Sequence, residues 1–353
     1  MVIKQLIIKS KPISLKKPLK SADYQSRTVL TNSVWEYVEL WLRRECSKNA
    51  DNALFYWEQA KCFYNASECL PIESKPLTAY YCCLNATKAL LSIKGPNTIN
   101  FDNLSHGISS DRAQWKNNNI KNAETVFQGQ GTLFELSKYL GEDANKKTYN
   151  IYDLLYNIPC IHRAFSITYS CTELFIPVKN VMFIIDTKDK NGWVQFQVDE
   201  KYANQKSLKS ISNSFEKVKY NDDGRYLLRS KHRFDWDMHG SKKQRLENLS
   251  SYQMVIRKKI HYILGDETLW YIKKEISSNK HIIDRGSLTL IFAVMHWMSE
   301  LVRYNPKKFS AIMKTKQNWL VREFVENALY QFIDEISCEM TNVDIMSIGH
   351  RKR

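Results

Sequence analysis

The sequence has no Cys-x-x-Cys pair, no Gly-Lys-Ser/Thr after a glycine-rich loop, and no apolar run long enough for a membrane span. Its eight cysteines are scattered, and Cys82-Cys83 is a vicinal pair inside an apolar, helix-like stretch. This excludes a zinc ribbon or a disulfide framework and is the usage of reduced thiols in a cytoplasmic protein. The longest apolar stretch, Leu288 to Met298, holds Thr289 and His296 and falls well short of the roughly 20 residues of a span. The first 33 residues offer only Leu6-Ile7-Ile8, too little for a secretory signal. Glycine and proline are sparse, 11 and 8 in 353 residues, which rules out a collagen-like chain. Gly129 and Gly131 stand one residue apart without a following Lys-Ser/Thr, so they make no phosphate loop, and no cofactor is expected.

What is present is ample apolar material, 43% of residues against 25% charged, so a packed core forms and general disorder is excluded. At roughly 100–200 residues per domain the length allows two or three domains. The net charge is +15 and is concentrated. Residues 1–33 carry +6, residues 201–261 carry +9, and the rest of the chain is neutral. Lysines and arginines focused in this way neutralise phosphates and release counterions, giving affinity without base reading. The candidate nucleic-acid contacts are Lys16, Lys17 and Lys20 in the first block. In the second they are Lys217, Lys219, Arg229, Lys231, Lys242, Lys243 and Arg245. An acidic protein partner, an acidic lipid or a merely solvated surface is the competing reading.

Residues 1–33 lack helical periodicity and read as an extended basic arm. Ser33-Val34-Trp35-Glu36 is a capping box that opens the first helix. Further helices are expected over about 51–69, 76–94, 132–140, 152–165, 288–304 and 319–340. Pro76 suits a first turn and Gly95-Pro96 a stop. The period then changes: Val181 to Asp186 and Trp193 to Asp199 read as strands, with Asn191-Gly192 as the turn signal. Phe215 to Tyr220 and Arg225 to Lys231 add two more, joined through Asp222-Asp223-Gly224, and from about Leu246 helices resume. The expected fold is mainly α, a helical core with a small antiparallel β insertion. Its parts are the arm (1–33), an N-terminal helical region (34–175), a basic β insertion (176–240) and a C-terminal helical region (241–353).

Three stretches carry a family resemblance. One runs from Glu58-Gln59-Ala60-Lys61-Cys62-Phe63-Tyr64-Asn65-Ala66 into Lys75-Pro76-Leu77-Thr78-Ala79-Tyr80-Tyr81-Cys82-Cys83-Leu84-Asn85-Ala86-Thr87-Lys88-Ala89-Leu90-Leu91. The second is Leu104-Ser105-His106-Gly107. The third is Met298-Ser299-Glu300-Leu301-Val302-Arg303-Tyr304-Asn305-Pro306. Their order resembles the YaaC-like family of bacterial proteins over roughly residues 50–340. The first helices also look like those of HEPN domains, which are common in prokaryotic immunity and toxin systems. The resemblance implies a helical bacterial cytoplasmic protein and little defined chemistry.

A HEPN-type ribonuclease uses an Arg followed, after four to six residues, by His. Arg225 to His232 and Arg233 to His239 fit that spacing. With eight His and 15 Arg in the chain, about one such match arises by chance. Both pairs also lie where strand and loop are expected. Asp235, Asp237 and His239 alternate, so an extended chain points them to one side as weak metal candidates. The competing reading is a polar loop balancing nearby cations. His106, beside Gly107, either faces a ligand or caps a helix. Arg303 ends an apolar helix, where a cation favours the C-terminal dipole, or else binds an anion. The leading expectation is a non-catalytic nucleic-acid-binding or complex-forming protein of a bacterial defence system, with no membrane contact and with self-association open. The alternatives are a HEPN-type metal-independent ribonuclease and a protein-binding scaffold.

Overall fold

The structure is a computed structural model that describes residues 3–45, 47–110, 119–202, 210–211, 214–221, 225–275 and 279–347, with residues 200, 219–221 and 225 described by their backbone alone. The chain divides into two compact units. The first comprises 1–29, 174–280 and 342–346, and the second 30–173, 281–341 and 347–353.

The first unit is built on an eight-stranded sheet. Its main path runs Phe215–Asn221, Arg225–Ser230, Asn191–Asp199, Phe175–Asp186, Thr268–Lys273, Ile260–Leu264. Ile3–Gln5 adds to the far end of the long Phe175–Asp186 strand, and Phe234–Asp235 adds to the start of Asn191–Asp199. The pairings are antiparallel. In the middle strand Val194, Phe196 and Val198 are wholly buried while Gln195 and Gln197 stay half-exposed. The alternation read from the sequence therefore holds, and it sets one face of the sheet against the Lys242–Arg257 helix. Leu249, Tyr252 and Ile256 of that helix share the core with it. Each such side chain contributes about 1.5–3 kcal/mol by leaving water. The Val194 N–H also donates to the Tyr252 hydroxyl at 2.9 Å.

This sheet overturns the expectation of a mainly α fold with a small β insertion. The Ile260–Leu264 and Thr268–Lys273 hairpin lies where helices were expected to resume. The second unit carries a further three-stranded sheet, Ile108–Ser110, Glu124–Phe127 and Lys147–Asn150. Several of these strands are short, and Phe175–Asp186 pairs with the distant Ile3–Gln5 and Thr268–Lys273, so local windows do not reveal the whole sheet.

The segment read as an arm is extended but built in. Leu6 N–H donates to Phe183 O at 2.8 Å, and Phe183 N–H donates to Ile13 O at 3.1 Å. Leu6, Ile13 and Leu15 are buried. Gly192 is not in the turn either. It pairs with Ile185 inside the sheet, and a Cβ there would meet the Phe234 ring at 2.4 Å. A glycine within a strand here marks the close approach of another group. The Asp222-Asp223-Gly224 turn lies outside the described residues.

The second unit is helical at its core: Val34–Glu45, Lys48–Glu68, Lys75–Lys94, Ser287–Tyr304 and Asn318–Thr341. Half of the capping box forms, with Glu36 N–H donating to Ser33 Oγ at 3.3 Å, while the Ser33 N–H donates to Thr31 Oγ1 at 3.2 Å and the Glu36 carboxylate pairs with Lys61. Pro76 sits in the first turn of its helix and Gly95 follows the last. Trp57, Tyr80, Phe292, Phe324 and Phe332 are among the largest buried side chains. Among the described residues no helix is long and apolar enough to cross a membrane.

Candidate functional site

In the first unit, several of the sequence-based candidates are occupied by the fold. Lys17 is buried, its Nζ donating to Ile345 O at 2.7 Å, and Lys16 Nζ pairs with Asp344 at 3.2 Å. Lys20 is half-buried. Arg229 binds Glu216 at 2.6 Å and Arg233 reaches the same carboxylate at 3.4 Å, both guanidiniums lying over the Trp193 ring. Lys217 stands 3.9 Å over the Tyr226 ring. Lys231, Lys242 and Lys243 are exposed. Lys243 lies 4.0 Å from Glu247, and Lys242 donates to Gln25 Oε1 at 2.8 Å. Arg245 donates through one nitrogen to the carbonyls of Asp237, Met238 and Gly240, which fixes that turn. The Lys219 side chain lies outside the described residues.

The Arg–His pairs do not sit on a helix. Arg225 starts a strand, and its side chain lies outside the described residues; His232 follows that strand, stacked 5.5 Å from Tyr252. His239 is exposed in the turn after Asp237. Asp235, Asp237 and His239 are not drawn into a cluster. Asp237 accepts from the His239 N–H at 2.9 Å and pairs with Lys190 at 3.1 Å, contacts that hold its carboxyl below the usual range. Among the described residues no group of three or more His, Cys, Asp or Glu has metal-holding geometry.

The structure does bring together cations from both basic blocks. A cavity of about 260 Å³ is rimmed by Lys4, Lys9, Lys242 and Arg245. Its apolar lining includes Ile8, Trp236, Met238 and Leu246, and no acidic residue lines it among the described residues. Four cations around apolar and aromatic carbon make a surface for an anion that carries a flat or greasy body. Sequence reading named two of these cations, Lys242 and Arg245. It missed Lys4 and Lys9: Lys4 is carried here by the pairing of Ile3–Gln5 with Asp186–Ile184, and Lys9 by the turn between Ile7–Ile8 and Lys11–Pro12.

The second unit holds a different chemistry. Tyr80 OH lies 2.5 Å from His106 Nδ1, and the two rings stack at 5.4 Å. His296 stands edge-on to both, 4.9 Å from Tyr80 and 5.8 Å from His106. On the Ser287–Tyr304 helix Phe292, His296, Glu300 and Arg303 follow at spacings that share one face. His296 Nδ1 lies 3.8 Å from Glu300 Oε2. Burial and the neighbouring His106 pull His296 down to about 3. Burial pushes the Tyr80 phenol well above its usual value, so the hydroxyl keeps its proton beside His106 Nδ1. When that hydroxyl donates to Nδ1, His106 carries its own proton on Nε2. It is held neutral by burial and by the Lys88 charge, against the opposing pull of Glu300.

The ring of His106 is placed by its backbone. Thr132 N–H donates to Ser105 O, Leu133 N–H to His106 O and Gln128 N–H to Gly107 O, so three successive carbonyls are fixed. Gly107 and Gly131 both have positive φ and face each other. Gly131, set aside as a phosphate loop, is thus a clamp on the His106 turn. Arg303 is exposed in the last turn of its helix, over the Tyr304 ring at 5.0 Å. Of this cluster, sequence reading singled out His106 and Arg303. An imidazole inside an otherwise apolar helix, four residues before a glutamate, was the available signal for His296.

The three stretches that carry the family resemblance meet here, through Tyr80 and Lys88, His106-Gly107, and Glu300 and Arg303. Comparison with curated proteins and with solved structures gives no match. The family model for YaaC-like proteins matches residues 17–340, nearly the whole chain, and the chain belongs to that family.

Proposed function

We propose that the first unit binds single-stranded nucleic acid at the cavity rimmed by Lys4, Lys9, Lys242 and Arg245, and that it acts by binding rather than by cutting. The observation that carries this reading is the composition of that cavity: four cations from distant parts of the chain and no carboxylate among its described lining residues. Phosphates would meet the rim and bases the apolar lining, a division that gives affinity with little sequence preference. Lys4, Lys9 and Lys242 are exposed and contribute charge. Arg245 is partly committed to backbone carbonyls and chiefly holds the wall.

Fluorescence anisotropy with a short single-stranded RNA, the matching DNA and an acidic peptide tests it. Binding of either nucleic acid that weakens in Lys4→Gln, Lys9→Gln and Lys242→Gln supports the reading. Binding of the peptide alone assigns the cavity to a protein partner and rejects it.

A further inference from the structure

We propose that Tyr80, His106 and His296 form a separate binding site for a small oxyanion in the second unit, with the His106 Nε2–H as its donor. The phenol occupies His106 Nδ1, so only the other ring nitrogen is left for a ligand. His106 is half-exposed, while Tyr80 and His296 are buried behind it. His296 Nδ1 has no hydrogen-bond partner among the described residues, though its side chain is enclosed. Buried polar atoms are nearly always paired, so an exception asks for an explanation. A structural role alone does not explain three clustered polar rings, because a phenylalanine at each place would fill the same space without burying imidazole or hydroxyl.

The charge around the donor selects the ligand. Lys88 and Arg303 act on His106 as cations and Glu300 as an anion, with Lys88 Nζ itself held by the Phe101 carbonyl at 3.3 Å and facing Asp102. A neutral imidazole whose Nε2 donates, with these cations near, suits the oxygen of a phosphate or carboxylate group. The ring is held in place beforehand, by the clamped Ser105–Gly107 turn and the Tyr80 bond, so little orientation entropy is lost on binding.

The test is NMR of the full chain carrying ¹⁵N-labelled histidine, titrated with inorganic phosphate and, separately, with acetate. Lys4→Gln/Lys9→Gln/Lys242→Gln is the background, so that anion binding at the other cavity does not interfere. His106→Phe, which keeps the stacked ring, identifies the His106 signals by their loss. The expected result is an Nε2-protonated neutral ring whose signals move on titration. Tyr80→Phe should weaken the response about tenfold, since it frees the ring tautomer and orientation. Response to phosphate alone marks phosphate esters as the ligand class, and response to both marks carboxylates as well. Signals that move with neither anion, or that move equally in Tyr80→Phe, overturn the proposal.

Discussion

Gly131 approaches Gly107 so closely that a Cβ on Gly131 would stand 2.5 Å from the Gly107 nitrogen. Both residues have positive φ, 104° and 77°, a region that side chains avoid. The contact is what holds the His106 turn against the start of the Thr132–Leu140 helix. Gly131→Ala should therefore destabilise the chain by about 1–3 kcal/mol and loosen His106. Gly129→Ala, where nothing lies within 4 Å of the added carbon, should be nearly silent. Thermal unfolding of the two variants side by side checks this.

Gly192→Ala is expected to act through one neighbour. The new methyl meets the Phe234 ring at 2.4 Å and the Ile184 carbonyl at 2.8 Å. The substitution should cost about 1–3 kcal/mol by overpacking. Adding Phe234→Leu should restore part of the loss. Additive effects in a double-mutant cycle would show that the two residues do not touch.

Arg285 and Glu142 form an enclosed ion pair at 3.1 Å, with side chains 1% and 8% exposed. The guanidinium also receives support from Tyr149 OH and Ser137 Oγ, to which it donates. Arg285→Met leaves the carboxylate buried without its partner and should cost about 3–5 kcal/mol. Arg285→Met combined with Glu142→Gln should recover much of it, read by denaturant midpoint.

His296 makes stability depend on pH. Its folded value is about 3 against an ordinary 6.5. Between those values the unfolded chain binds the extra proton, so stability is fully present above about pH 6.5 and is lost as pH falls towards 3. The ceiling of this effect is about 5 kcal/mol, from about 1.4 kcal/mol per unit. His106 is lowered as well and acts in the same direction. His296→Phe should flatten the slope of stability against pH over this window. An unchanged slope would place the acid sensitivity elsewhere.

Much of the helical layout was legible. Ser33 and Glu36 announce a helix start, and Pro76 and Gly95 bracket the Lys75–Lys94 helix, because caps and breakers act within a few residues. The alternation of Val194, Phe196 and Val198 was equally local. The sheet as a whole was not legible, since Lys4 pairs with Ile185 and Trp270 with Val178, and no periodicity encodes such partners. Gly192 misled for a related reason: Asn-Gly is a turn signal by composition, while the ring of Phe234 is what demands the glycine. The site in the second unit was half legible. His106 stood out beside Gly107, but Tyr80 and His296 read as core residues, which they also are.

The salt dependence of nucleic-acid binding tests the central claim most directly. A single-stranded RNA held by three or four cations of the cavity should lose affinity with salt at a log–log slope of about −2 to −3. Each of Lys4→Gln, Lys9→Gln and Lys242→Gln should make that slope shallower by about 0.7. Point substitutions are the right probe, because deleting residues 1–33 would remove Leu6, Ile13 and Leu15 from the core. A flat salt response, or slopes that stay the same in all three variants, would contradict the assignment of the cavity to nucleic acid.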